Sequence, residues 1–196
     1  MKVIYFKTLP STSQKAKEIA KEKPEPWLVI VAEEQTAGYG RKQAIWYSPL
    51  GGLYFSVVLP KSKIEDLQTL TILAAFVIAK VIKDYYPASL YSQPIQPKKD
   101  NLSFEPVIKL PNDIYLNNKK VCGILTENVI GASTSSASVR FSVIGIGLNT
   151  NIKEFPKELQ ETATSLKIEL GKTVNNSELL QKIVRGLKEQ LKTISE

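Results

Sequence analysis

An acid and several bases crowd into "KLPNDIYLNNKKVCG", residues 109–123. Asn117-Asn118 suits a two-residue hairpin turn, because Asn tolerates positive φ. Such a turn pairs Tyr115 with Lys120 and Asp113 with Cys122. Alternation along each strand then points Asp113, Tyr115, Lys120 and Cys122 to one face, with Ile114, Leu116 and Val121 on the other. Asp113 sits diagonal to Lys120. A carboxylate and an ammonium lining one pocket suit a metal–nucleotide and an anionic substrate. The same geometry also describes a surface ion pair worth less than about 1 kcal/mol.

A second stretch is "QTAGYGRKQAIWYSPLGGLYFS", residues 35–56. Its glycines let the backbone turn and present N–H groups to an anion. Arg41 adds a planar donor fork that matches phosphate or carboxylate oxygens. Trp46 offers a flat face to a ring. It is not a P-loop, because the Lys-Ser/Thr ending is missing. A flexible hairpin connection with a surface Arg would look the same. The third stretch, "FSVIGIGLNTN" (141–151), has Gly145 and Gly147 but no third glycine and no helix start, which argues against a dinucleotide fold. Its glycines read as places where a backbone or a ligand comes close. Asn149 and Asn151 alternate at the strand end and either face a polar ligand or serve as turn residues.

Composition narrows the chemistry. The 196 residues contain no His and one Cys, Cys122. That removes Ser-His-Asp and Cys-His catalysis and every His-based metal site. Hard cations such as magnesium remain open, since they take oxygen ligands. A lone Cys cannot form an intrachain disulfide, so a cytoplasmic location is the expectation. The formal charge of +7 favours an anionic partner: nucleotide, nucleic acid or acidic protein. No apolar run approaches the roughly 18 residues of a membrane span.

These residues must be positioned by strands and helices in mixed order. Residues 1–6 and 27–32 read as strands, with a helix between them that the Ser/Thr cluster at 11–13 caps and Pro24 and Pro26 end. A strand at 53–59 and a strongly apolar helix at 64–85 follow. Residues 87–106 hold a proline-rich loop. Strands at 107–110, 113–116 and 119–127 lead through a Ser-rich turn to a strand at 139–148. A helix of about ten residues opens at Pro156 and ends at Gly171, and Asn175, Asn176 and Ser177 cap a last helix. The absence of regular βαβ alternation points to α+β, a largely antiparallel mixed sheet against helices, in a single domain spanning 1–196.

Taken together and in this order, the stretches resemble the catalytic domain of the biotin protein ligases, also called biotin–[acetyl-CoA-carboxylase] ligases. The family's glycine-rich ligand loop stands as Gln35-Thr-Ala-Gly38-Tyr-Gly40-Arg41, then Trp46-Tyr-Ser48-Pro49 and Gly52-Leu53-Tyr54-Phe-Ser56. Its hairpin stands as Lys109-Leu-Pro111-Asn112-Asp113-Ile114 with Lys120-Val-Cys-Gly123, and its G-x-G-x-N-x-N strand as Gly145 to Asn151. Ala163-Thr-Ser-Leu166 and Ser11-Thr12-Ser13 match two further elements.

The resemblance implies a two-step reaction: ATP activates biotin to biotinyl-5′-AMP, and biotin passes to a lysine of a biotin carboxyl carrier protein. It gives Lys120 and Arg41 the catalytic roles. Biotin would lie against Ser11, Thr12, Gln35, Gly38, Trp46, Tyr54, Lys120 and Gly123. ATP would meet Arg41, Trp46, Asn112, Asp113, Lys120 and Asn149, with Asp113 serving its magnesium. The chain departs from the family at Tyr39, where a loop Arg is usual, and at Gln43, Ala44, Leu110 and Ser13, so its loop carries fewer cations. The resemblance also implies a short form without an N-terminal DNA-binding segment, with no DNA or membrane partner, with no room for the usual C-terminal β-barrel, and with scope for a homodimer. A ligase of the same fold acting on lipoate or octanoate, and a non-catalytic protein that binds biotin, adenylate or nucleic acid, stay open as alternatives.

Overall fold

The computed structural model describes residues 2–23, 25–59, 66–85, 105–131 and 138–195. Among them, seven strands form one sheet: β1 (Lys2–Leu9), β2 (Leu28–Gln35), β3 (Leu53–Leu59), β4 (Val107–Lys109), β5 (Asp113–Leu116), β6 (Lys119–Gly131) and β7 (Ser138–Leu148). Their order across the sheet is β1-β2-β3-β7-β6-β5-β4. β1 and β2 are parallel, because helix α1 (Thr12–Glu22) carries the chain back between them. Every other pairing is antiparallel. The expected mixed, largely antiparallel α+β sheet is what forms. Ser11 caps α1, its hydroxyl accepting from Gln14 N.

The two faces of the sheet are covered unequally. Helices α2 (Leu67–Tyr85) and α4 (Asn176–Ser195) pack together on one face. There Val29, Phe55, Val57, Ile144 and Ile146 meet Leu70, Ile78, Ile183 and Leu187. Among the described residues, α1 is the one helix on the other face, where Ala16 and Ala20 join Ile30, Val58, Phe141 and Val143. β3, near the sheet's middle, is therefore buried at every residue, and its sequence reads as an apolar run broken only by Ser56.

Two local expectations are corrected. The hairpin turn forms as read, with Asn117 and Asn118 at φ 49° and 62° and Tyr115 opposite Lys120. The register then shifts between Ile114 and Tyr115, so that Ile114 faces Cys122 and Asp113 faces Gly123. The bulge lets Val121 and Cys122 both enter the core. Cys122 therefore does not share the face of Asp113 and Lys120. Complete burial pushes its thiol pKa far up and makes it a core residue, not a nucleophile.

The expected helix from Pro156 to Gly171 is instead a 3-10 turn (Lys157–Leu159) and a short α3 (Leu166–Leu170). Between them the chain extends along β6: Lys120 N donates to Thr162 O at 2.8 Å and Thr164 N to Lys120 O at 2.9 Å. Ladder pairing wins over helix in a Thr-Ala-Thr stretch with weak helix propensity. Ser165 then caps α3, accepting from Ile168 N, and Gly171 ends it at φ 68°. The proline-rich segment before Glu105, most of the Ser-rich turn after β6, and Pro24 lie outside the described residues. No helix among the described residues is long and apolar enough to cross a membrane.

Gly186 on α4 marks the closest approach to α2, since a Cβ there would lie 2.7 Å from Val77 Cγ1. Gly186→Ala gains about 1 kcal/mol of helix propensity but overpacks a stiff β-branched neighbour, which costs about 1–3 kcal/mol. The expected net loss is about 1 kcal/mol by urea denaturation. Combining it with Val77→Ala should cost less than the two single changes summed.

Candidate functional site

The part of the sheet that α1 leaves bare carries a cavity of about 400 Å³. Its floor is glycine: Gly123 on β6 faces Gly147 on β7 across the ladder, with Gly145 two residues along. Trp46 lies on this floor. A Cβ on Gly123 would come within 2.8 Å of the indole, and one on Gly147 would collide with its Nε1. That Nε1 is buried and has no hydrogen-bond partner among the described residues.

The buried end of the cavity is polar. Thr12 N and Oγ1 both donate to Gln35 Oε1, at 2.9 and 3.1 Å. A backbone N–H can only donate, which fixes the Gln35 amide with its oxygen toward Thr12. Gln35 Nε2 accordingly donates to Ser48 Oγ at 2.9 Å. Thr12 gives its one proton to Gln35, so Ser56 donates to Thr12 (2.9 Å) and Ser13 to Ser56 (3.0 Å). Ser11 completes this end of the lining.

The open end is charged. Lys120 Nζ stands 2.8 Å from Asp113 Oδ1 and 5.0 Å from the centre of the Trp46 ring. Asn112 Nδ2 donates to the same Asp113 oxygen at 2.9 Å, and Arg41 Nη1 donates to Asn112 Oδ1 at 3.3 Å. Arg41, Asn112, Asp113 and Lys120 thus form one chain from the glycine-rich loop to the hairpin. The Thr162–Thr164 segment holds the Lys120 backbone from the far side.

The loop itself doubles back as a small hairpin. Tyr39 pairs with Ile45, Gly40 N donates to Ala44 O at 2.8 Å, and Trp46 N donates to Gly38 O at 2.9 Å. Its tip is the 3-10 turn Arg41–Gln43, where Lys42 and Gln43 hold φ 54° and 59°. Below the tip, Tyr39 Oη donates to Glu127 Oε2 at 3.0 Å and accepts from Lys17 Nζ at 3.0 Å. Lys17 also meets Glu127 Oε1 at 2.9 Å. Burial, with the Glu127 charge, raises the Tyr39 pKa. Burial alone would lower that of Lys17, but Tyr39 and Glu127 together outweigh it and raise it.

Of the residues expected from the sequence, Ser11, Thr12, Gln35, Arg41, Trp46, Asn112, Asp113, Lys120 and Gly123 come together around the cavity. Gly38, Tyr54 and Asn149 do not line it. Gly38 is packed among Ser48, Gln35 and the Trp46 backbone, where a Cβ would not fit. Tyr54 is the cross-strand partner of Gly147 and lies fully buried beside the floor, its hydroxyl donating to Pro49 O at 2.9 Å and its pKa driven far up by burial. Asn149 donates to Thr164 O at 3.0 Å and ties the end of β7 to the segment beside Lys120. Ser56 was not expected in the polar end, although a lone serine in the run LYFSVVL signals it. Lys17 and Glu127 carried no sequence signal, being 110 residues apart.

The arrangement suits an elongated anion. A polar head meets the hydroxyls, an apolar body lies along Trp46, and the negative end reaches Lys120 and Arg41. The comparisons with known proteins agree in kind. A family model described as the biotin/lipoate A/B protein ligase family matches residues 5–149. The Bifunctional ligase/repressor BirA of Bacillus subtilis is 34% identical over 186 residues, covering 93% of this chain and 51% of the relative. The Biotin--[acetyl-CoA-carboxylase] ligase of Paracoccus denitrificans is 32% identical over 121 residues, 61% of this chain and 43% of the relative. The chain thus spans about half the length of the curated relatives it matches. A solved structure of biotin protein ligase from Aquifex aeolicus, in complex with biotin and ATP, superimposes with a TM-score of 0.77 at 28% identity, covering 99% of this chain and 72% of that one.

Gly147→Ala should lift the indole off the floor. In a Trp27→Phe background, Trp46 emission is expected to shift to the red and iodide quenching to rise. Gly40→Ala should leave both unchanged, since its Cβ meets nothing closer than Ala44 O at 3.8 Å.

Proposed function

The chain belongs to the biotin/lipoate A/B protein ligase family, and from that premise we propose that it is an ATP-dependent biotin protein ligase. In the first step a biotin carboxylate oxygen attacks the α-phosphorus of ATP. The bond from that phosphorus to the β-bridging oxygen breaks, and pyrophosphate leaves biotinyl-5′-AMP. In the second, the amine of a lysine on a biotin carboxyl carrier protein attacks the acyl carbon. AMP leaves with the bridging oxygen, and the nitrogen gives a proton to solvent as the amide forms. Neither step needs a covalent enzyme intermediate, which suits a chain with no His and a buried thiol.

One observation carries the reading: a buried amide–hydroxyl cluster and a Lys–Asp–Asn–Arg chain lie at opposite ends of one glycine-floored cavity. On this reading Thr12, Gln35 and Ser11 meet the ureido ring, and Trp46 and Gly123 wall the body of biotin. Lys120 holds the carboxylate and then the oxygen bridging to the α-phosphate, offsetting charge that grows in the transition state. Arg41 leaves its long bond to Asn112 for phosphate oxygens. Asn112 and Asp113 serve the nucleotide side. Among the described residues no cluster of three or more His, Cys, Asp or Glu could hold a metal by itself. Asp113 as a single hard carboxylate fits magnesium that arrives on the triphosphate, held mainly by phosphates and water. The unbroken sheet supports treating the chain as one catalytic domain.

The polar end favours biotin over other acids of this fold class. A dithiolane or alkyl head has neither N–H nor C=O to offer Ser11, Thr12 and Gln35, whereas a ureido ring has both. The test is mass spectrometry of a reaction with ATP, magnesium, a biotin carboxyl carrier domain, and biotin, lipoate and octanoate in competition. Biotinyl-adenylate and biotinylated carrier are expected. Lys120→Ala and Arg41→Ala should each slow adenylate formation by roughly 10²-fold or more. No adenylate, or preference for another acid, would overturn the proposal.

A further inference from the structure

The glycine-rich loop is fastened at two points of unequal strength. Arg41 reaches Asn112 through one exposed hydrogen bond of 3.3 Å. Tyr39 is held by a closed ring of contacts: its hydroxyl to Glu127 at 3.0 Å, Lys17 to that hydroxyl at 3.0 Å, and Lys17 to Glu127 at 2.9 Å. Lys17 also stands 5.6 Å from the centre of the Tyr39 ring. Both charged side chains are well sheltered, at 24% and 25% exposure, where charge-assisted hydrogen bonds are stronger than at an open surface. One partner comes from α1 and the other from β6, so the loop is bolted to elements that pack without it.

The loop needs such a fastening. Lys42 and Gln43 both hold left-handed φ, 54° and 59°, which disfavours this shape in an isolated segment. Arg41, Lys42, Gln43, Ala44 and Ile45 are all exposed, so burial does not hold the tip down. We infer that Tyr39, Lys17 and Glu127 form an anchor that keeps the loop folded over the cavity before any ligand binds. Tyr39 is then a positioning residue: it lines the cavity, while among the described residues its hydroxyl bonds to Lys17 and Glu127. The weak Arg41 contact can break when a phosphate arrives, and the anchor holds the base of the loop as Arg41 swings. A loop with few cations thus has its shape set by the protein and not by the ligand. The assignment rests on the proposed ligase reaction only for what the loop grips.

The test is hydrogen–deuterium exchange of the full chain without ligand, followed over residues 38–46, in wild type and Tyr39→Phe. The wild-type Gly40 and Trp46 amides should be protected, and Tyr39→Phe should exchange them roughly tenfold faster while leaving the sheet unchanged. Glu127→Gln keeps an acceptor for Tyr39 and should fall between wild type and Glu127→Leu. Adding biotin and ATP should restore protection to Tyr39→Phe. In turnover, Tyr39→Phe should raise the KM for biotin and speed adenylate release by roughly tenfold, with a smaller change in kcat. An unprotected wild-type loop, or a Tyr39→Phe loop exchanging at the wild-type rate, overturns the anchor. A wild-type chain that makes no adenylate overturns the ligase reading and leaves the exchange result standing.

Discussion

A flat aromatic ring can rest against a β-sheet only where the strands carry no side chain. Gly123 and Gly147 meet that constraint as a cross-strand pair, and Gly145 extends it along β7. The same strands turn Ile124, Ile144 and Ile146 into the helix-covered core on the other side. β6 and β7 are therefore dense on one face and pared down on the other. Glycine weakens a strand, and the packing of α2 and α4 beneath offsets that weakness. With the indole on the floor, the carbonyl of Trp46 is brought to Ser48, Ser48 to Gln35, and Gln35 to Thr12. The polar end and the aromatic wall are in this way one connected arrangement.

The charged end depends on a different device, a change of register within a hairpin only a few residues long. The bulge leaves Lys120 and Asp113 on the cavity side and sends Val121 and Cys122 together into the core. Without it, strict alternation would pair Asp113 with Cys122 and put a polarisable thiol beside the ammonium. Burial of Cys122 leaves Lys120 with an oxygen partner, which is the chemistry that a phosphate or carboxylate can replace.

Much of this could be read from residue types. The Asn-Asn turn, the Ser11 cap and the strand at Leu53–Leu59 all follow from local chemistry, and the cap and the turn bring Ser11, Thr12, Asp113 and Lys120 to the cavity. What could not be read depends on partners far away in sequence. The bulge answers to core packing under β6, and Thr162–Thr164 became extended because the edge of Lys120 was there to pair with. Tyr54 and Asn149 belong to motifs that look like ligand contacts, but Tyr54 bonds Pro49 beside the floor and Asn149 ties down the β7 end. Lys17 and Glu127 are ordinary surface residues until the fold brings them to Tyr39. Local propensity specifies elements well and says little about which distant side chains complete a site.

β7 is last among the described strands in sequence, yet it lies between β3 and β6 in the sheet. During synthesis, then, α1, the glycine-rich loop and the hairpin are all made before the strand that joins them. Until β7 inserts, β3 and β6 each lack a neighbour, and two of the three floor glycines, Gly145 and Gly147, are not in place. Long-range pairing of this kind is slow, because loop closure must precede any reward from contact. A nascent chain that has not yet paired β7 therefore has the loop and the lysine but no cavity in which to use them, so binding begins only once the sheet is closed.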